Sequence, residues 1–324
     1  MKESFRSHIS LDQISIKVST NSADLLSAVR TYFLNRPSSF SGDPVIEINI
    51  KWTRNFWSTH NNVKLKKKDN LGNMDFYVIH NPIVSLFKNF RVDNYKKYFL
   101  ENVINTTILF PAMYYLERNR GICIIDSAAF TMGKFGIMII GSAGIGKSTL
   151  SLSAIKFGEN TRLISDDLVL LWRGGVSGFP APIRLDEKSR SLARLGTDIL
   201  EELPGVFSDR GRTSYNLNHD KKIYCLVNPK VIVLVQRGPD FSLKSISNES
   251  IFEKIDALTK ENNTIKSYRE FLEKFYGEKE SVNSVKQTTS KLVSLIRNLD
   301  CYSLDIDQET DLGEVIKELS KVVE

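Results

Sequence analysis

An α/β fold, α+β when the whole chain is counted, is predicted by three observations. Alternating β-branched segments are interleaved with segments of helical periodicity rather than segregated from them. A glycine-rich stretch, GSAGIGKS, lies between an apolar run, FGIMII, and a helical one, STLSLSAIKFG. The length, 324 residues, suffices for two domains.

The elements follow in order. Residues 1–118 read as a smaller α+β accessory or substrate-recognition domain. Its strands are QISIKV, VIEINIKW and MDFYVIH, by their alternation. ADLLSAVRTYFL reads as a helix, with Asn21 and Ser22 as candidate caps. KLKKK, Lys64 to Lys68, reads as a solvated loop. Residues 95–118 have helical spacing, and Pro111 is expected to kink or split them. Residues 119–324 form the second domain. GICIIDSAAF and FGIMII read as strands joined by a turn at MGK. RLISDDLVLLW reads as one strand and GGVSGF as a turn. KVIVLVQR and SLKSIS read as a strand pair broken by GPD. Four helical segments close the chain, interrupted by a strand at CYSLDID.

Composition narrows the function. Hydrophobic content of 41% and charged content of 25% belong to a globular chain. The start, MKESFRSHISLDQ, has no apolar leader, and no run approaches the ~20 apolar residues of a bilayer span. A cytoplasmic protein with no membrane partner is expected. Cys123, Cys225 and Cys301 are odd in number and far apart. That argues against a disulfide framework and a zinc site, and all three read as buried thiols. A net charge of +6 suits nucleotides and does not by itself indicate nucleic acid.

The chemistry starts at Gly141-Ser142-Ala143-Gly144-Ile145-Gly146-Lys147-Ser148, which fits G-x-x-x-x-G-K-[ST]. Glycines let the backbone curl so that successive N–H groups face phosphate oxygens. Lys147 brings positive charge to the β- and γ-phosphates, Ser148 offers a hydroxyl to Mg²⁺, and the helix behind adds its positive end. The nucleotide-binding set is Gly141 through Ser148 together with Thr149.

Asp166 and Asp167 follow at a telling distance. The helix from Ser148 to Gly158 descends about 15 Å at 1.5 Å per residue. The chain turns at GEN, and RLISD climbs back about 16 Å at 3.3 Å per residue. A right-handed crossover then sets this strand parallel to FGIMII in the same sheet. Both aspartates return to the height of the loop. Within a strand they would point to opposite faces, so one could reach Mg²⁺ and the other an incoming nucleophile.

GSAGIGKST, an aliphatic helix and RLISDD together resemble the HPr kinase/phosphorylase family and its HPr-kinase-like relatives. The resemblance is specific over about residues 121–172 and thins to FPAPIRL and GRTSYNL beyond. Residues 1–118 resemble accessory domains of these proteins only loosely. The resemblance implies a phosphate-loop core related to phosphoenolpyruvate carboxykinase and transfer of phosphate from ATP, or another nucleoside triphosphate, to a serine hydroxyl. It makes Asp167 the general base, Asp166 a metal-side carboxylate with Ser148, and Lys147 part of the catalytic set. The sequence departs from the family pattern in three places. Asp126 stands where the family usually has histidine, Thr149 stands where HPr kinases have Glu, and PAPIRLDEKSRSL replaces their glycine-rich signature. These departures point to HPr-kinase-like serine kinases, some of which phosphorylate precursor peptides of natural products, rather than to HPr itself.

Asp126, Arg184 and Arg212 are candidate phosphate or substrate contacts, arginine because its fork suits bidentate oxygen recognition. His219 reads as a solvated loop residue and Trp172 as core. Tyr95, Tyr98, Tyr114 and Tyr115 read as packing residues. The leading expectation is a Mg²⁺-dependent serine kinase acting on a peptide or protein. An NTPase switch and a non-catalytic nucleotide sensor are the rivals. The acceptor, the choice of ATP over GTP and a homo-oligomeric state are left open.

Overall fold

The computed structural model describes residues 5–11, 14–33, 46–54, 62–68, 73–80, 100–173, 175–179, 181–193, 199–203, 212–217, 227–307 and 309–323. Among them the architecture is mixed α/β, with four sheets. Two compact units emerge. The first comprises Met1–Asn119, Pro180–Arg184 and Glu202–Ser214, and the second Arg120–Phe179, Leu185–Glu201 and Tyr215–Glu324. Two short stretches from the later half of the chain thus belong with the first unit, which sequence patterning did not suggest.

In the first unit, β1 (Phe5–Leu11), β2 (Ile14–Thr20), β3 (Ile46–Arg54), β4 (Asn62–Lys68) and β5 (Asn73–His80) form a sheet of order β1-β2-β3-β5-β4. Strand β1 had no counterpart in the sequence reading. Ile16, Val18, Ile46, Ile48, Phe76 and Val78 are buried at alternate positions, so one face is covered. The other face is polar: Lys17 pairs with Glu47 at 3.2 Å, and Asn49 donates to Asp75 at 2.9 Å. Helix α1 (Ala23–Tyr32) starts where the sequence placed it, with the Ser22 side chain accepting from the Leu25 N–H. The lysine run is not a loop. It lies in edge strand β4, with a register shift between Leu65 and Lys67. A lysine-rich, irregular edge resists pairing with another chain.

Residues 100–104 are helical, 105–109 and 116–120 are π-helical, and α2 (Phe110–Tyr115) lies between. In place of a split, the helix widens ahead of Pro111, and the Phe110 N–H bonds to Asn105 O. The wider turn carries the backbone past a residue with no N–H to give.

The second unit holds β6 (Cys123–Asp126), β7 (Ala128–Met132), β8 (Phe135–Ile140), α3 (Lys147–Phe157), β9 (Arg162–Ser165), β10 (Leu168–Trp172) and β11 (Gly175–Gly178). After α4 (Glu187–Leu192) come β15 (Asn228–Arg237), β16 (Ser242–Ser245), α5 (Asn248–Glu261), α6 (Asn263–Tyr276), α7 (Glu278–Ile296), β17 (Asp300–Ile306) and α8 (Leu312–Val323). Short strands β12 (Ile183–Leu185), β13 (Leu200–Glu202) and β14 (Thr213–Leu217) make a three-stranded sheet of order β12-β14-β13.

The six-stranded sheet has the order β16-β17-β15-β8-β7-β9, and a smaller one has the order β11-β10-β6. Both segments read as single strands are therefore broken. GICIIDSAAF divides at Ser127 into β6 and β7, and RLISDDLVLLW divides at Asp166–Asp167 into β9 and β10, each half entering a different sheet. Strand β9 runs in the direction of β8, as the crossover argument required, but β7 lies between them, antiparallel to both. GGVSGF contributes strand β11 rather than a turn. Strands β15 and β16 do not pair with one another, because β17 inserts between them, parallel to β15 and antiparallel to β16. The core between the sheets gathers Ile125, Met138, Ile140, Ile164, Val169 and Ile232, with Ile251 and Ile255 of α5. Helix α3 is buried from Thr149 through Ile155, so it is enclosed rather than amphipathic. No described helix is long and apolar enough to cross a membrane.

Candidate functional site: the glycine-rich loop and the aspartate bend

The loop leaves the end of β8, a strand buried at Gly136 through Ile140, and enters α3 at Lys147. A left-handed turn is needed there. Gly144 and Gly146 have φ of +77° and +110°, values that a side chain would strain. Ser142, Ala143 and Gly144 are exposed, and Ile145 N–H closes a turn on Ser142 O at 3.2 Å. Gly146 is the N-cap and has no side chain to satisfy the first N–H groups of α3. They remain suited to an anion. Thr149 lies one residue deeper and is buried.

Lys147 folds back over the loop. Its Nζ donates to Gly141 O at 2.7 Å and lies 3.4 Å from Asp126 Oδ1. The two side chains are only 10% and 9% exposed, so the pair is largely sheltered from water. Asp126 ends β6 and is paired in register with Leu168, the first residue of β10. Sequence reasoning singled out Asp126 as a departure but missed this ion pair. Its visible signal was an acidic residue closing the apolar run GICII a short way ahead of the glycine-rich loop.

The aspartates occupy a bend between β9 and β10 rather than the interior of one continuous strand. Asp166 is half-buried and Asp167 exposed. The bend is braced from both sides. Ser127 N–H donates to Asp167 O at 2.9 Å, and Ser165 Oγ donates to Leu168 O at 2.8 Å. Ser148 Oγ donates to Asp166 O at 3.3 Å, which joins the start of α3 to the bend. Loop, lysine, serine hydroxyl and both aspartates thus come together within the second unit.

The Ser148 hydroxyl and the Asp166 carbonyl that it meets are hard oxygens, the donor type that Mg²⁺ takes. Among the described residues, no group of three or more His, Cys, Asp or Glu could hold a metal. An ion here would draw its remaining ligands from phosphate and water, the usual arrangement for Mg²⁺.

The two arginine candidates are counted with the first unit. Arg184 pairs there with Glu101. Arg212 is exposed. Cys123 and Cys301 are buried, and Cys225 is outside the described residues. Burial first, then the charge of Asp300, pushes the Cys301 thiol up to about 11, so it is no nucleophile at neutral pH. Trp172 is half-buried at the end of β10 rather than fully core, and Tyr114 and Tyr115 are half-buried. Tyr95, Tyr98 and His219 lie outside the described residues.

No family model matches the chain, and no curated protein matches it. Among solved structures, the Hpr(Ser) kinase/phosphatase from Coxiella burnetii is similar at 14% identity, over 62% of this chain and 89% of that one, with a TM-score of 0.27.

Proposed function

We propose that this chain is a Mg²⁺-dependent kinase that transfers the terminal phosphoryl group of a nucleoside triphosphate, taken as ATP, to a serine hydroxyl of a peptide or protein. The observation that carries the reading is the junction of Ser148 with the Asp166–Asp167 bend, beside a phosphate loop whose lysine is sheltered. Phosphoryl transfer asks mainly for positioning and charge stabilisation, with one acceptor for the hydroxyl proton.

In this reading, the loop N–H groups and Lys147 receive the β- and γ-phosphates. Ser148 and Asp166 would hold the metal, and the chemistry it would supply is neutralisation of charge on the phosphate oxygens. Asp167, the exposed member of the pair, takes the proton of the serine hydroxyl. The serine oxygen forms its bond to the γ-phosphorus as the bond to the bridging oxygen breaks. The electron pair leaves with the nucleoside diphosphate.

The test is intact-mass analysis of serine-containing peptides incubated with ATP and Mg²⁺. An acceptor should gain one phosphate, and Lys147→Ala should abolish the gain and weaken nucleotide binding. Nucleotide consumption indifferent to any acceptor would indicate an NTPase instead. Binding without turnover would indicate a sensor. Near-normal transfer by Lys147→Ala would overturn the assignment of the loop.

A further inference from the structure

Phosphoryl transfer by itself gives no reason for a carboxylate beside the loop lysine, yet Lys147 Nζ has a carboxylate oxygen at 3.4 Å and a carbonyl at 2.7 Å. The two partners are not equally mobile. Asp126 belongs to a strand, in register with Leu168, and the next residue, Ser127, donates its N–H to Asp167 O. Its backbone is anchored, and its side chain is short. Lys147 carries its charge on a four-carbon stem with three donors and can turn. An incoming phosphate must therefore draw the ammonium away from Asp126. Doing so leaves a nearly buried carboxylate next to an anionic ligand, in a setting where charges interact far more strongly than in water.

We propose that Asp126 is a positioning residue acting through Lys147: it holds the ammonium against the loop and competes with nucleotide phosphate for it. The competition weakens the hold on nucleotide and returns the lysine to Asp126 as the diphosphate product leaves. The inference rests on the nucleotide-binding part of the function proposed above and is independent of the acceptor.

A double-mutant cycle tests it, with ADP affinity in EDTA measured by calorimetry for the wild type, Asp126→Asn, Lys147→Met and the double variant. Asp126→Asn should tighten ADP by about tenfold, through the loss of a sheltered competing charge. In the Lys147→Met background the same change should alter affinity by less than about twofold, since its route is gone. A second measurement is acylation of Lys147 in the nucleotide-free protein, followed by peptide mass, which should be faster in Asp126→Asn. An unchanged or weakened ADP affinity in Asp126→Asn would overturn the proposal. So would an equal gain in both backgrounds, which would mean a charge effect not routed through the lysine. Should Asp126→Asn not fold, Asp126→Ser takes its place in the cycle. Failure of phosphoryl transfer with the cycle intact would remove the kinase reading alone. Absence of ADP binding in all four proteins would remove both.

Discussion

Asp166 and Asp167 share a bend but not an environment. Asp166 is half-buried, and its carbonyl accepts from the Ser148 hydroxyl, the group proposed to face Mg²⁺. Asp167 is exposed, and its carbonyl is held by the Ser127 N–H. On the kinase reading, Asp167→Asn keeps size and removes basicity. Transfer should fall by roughly 10²–10⁴-fold, the usual contribution of a positioned proton acceptor, while nucleotide affinity changes little. Asp166→Asn should instead raise the Mg²⁺ requirement and weaken metal-nucleotide binding. Calorimetry and mass-spectrometric rates on both variants separate the two. If Asp167→Asn loses nucleotide and Asp166→Asn loses only rate, the roles are exchanged. If neither loses rate, the base is another residue and the kinase assignment fails.

At the scale of elements, the bend exists because β9 and β10 enter different sheets, and β11 packs close enough to brace them. A Cβ built on Gly178 of β11 would lie 1.9 Å from Ile164 O of β9, against backbone that cannot swing aside. Gly178→Ala should therefore destabilise the protein by roughly 1–3 kcal/mol, the usual cost of overpacking, measured by urea unfolding. Wild-type stability would mean that β9 and β11 are further apart than described. The same glycine shows what the sequence could and could not reveal. GGVSGF carries a turn signal, yet Gly178 serves close strand packing. Local patterning found helices α1, α5, α6 and α8 because their buried residues recur at helical spacing, and strands β8 and β15 because each carries an apolar run of strand length. It found the glycine-rich loop because the residues of its pattern are contiguous in sequence. It missed the breaks at Ser127 and at Asp166–Asp167, because transfer between sheets leaves an apolar run uninterrupted. The Asp126–Lys147 pair was hidden for a related reason: it depends on tertiary register between β6, β10 and the loop, not on any local period.

At the scale of the whole molecule, the chain does not divide at a single point. Pro180–Arg184 and Glu202–Ser214 come from the later half of the sequence but belong with the unit formed by Met1–Asn119. A fragment of residues 120–324 would keep these stretches and lose the rest of their unit. One consequence is explicit. Arg184, 28% exposed at its side chain, would lose the carboxylate of Glu101, which is 13% exposed. Together with that ion pair, the stretches would lose the packing of the rest of their unit. The fragment should therefore melt below the intact chain, by roughly 2–4 °C for each kcal/mol lost. Circular dichroism melts of the intact chain and the fragment decide the matter. Equal midpoints would show that the second unit folds without the first. In that case the two later stretches contribute nothing to its stability, and the division of the chain near residue 119 is complete.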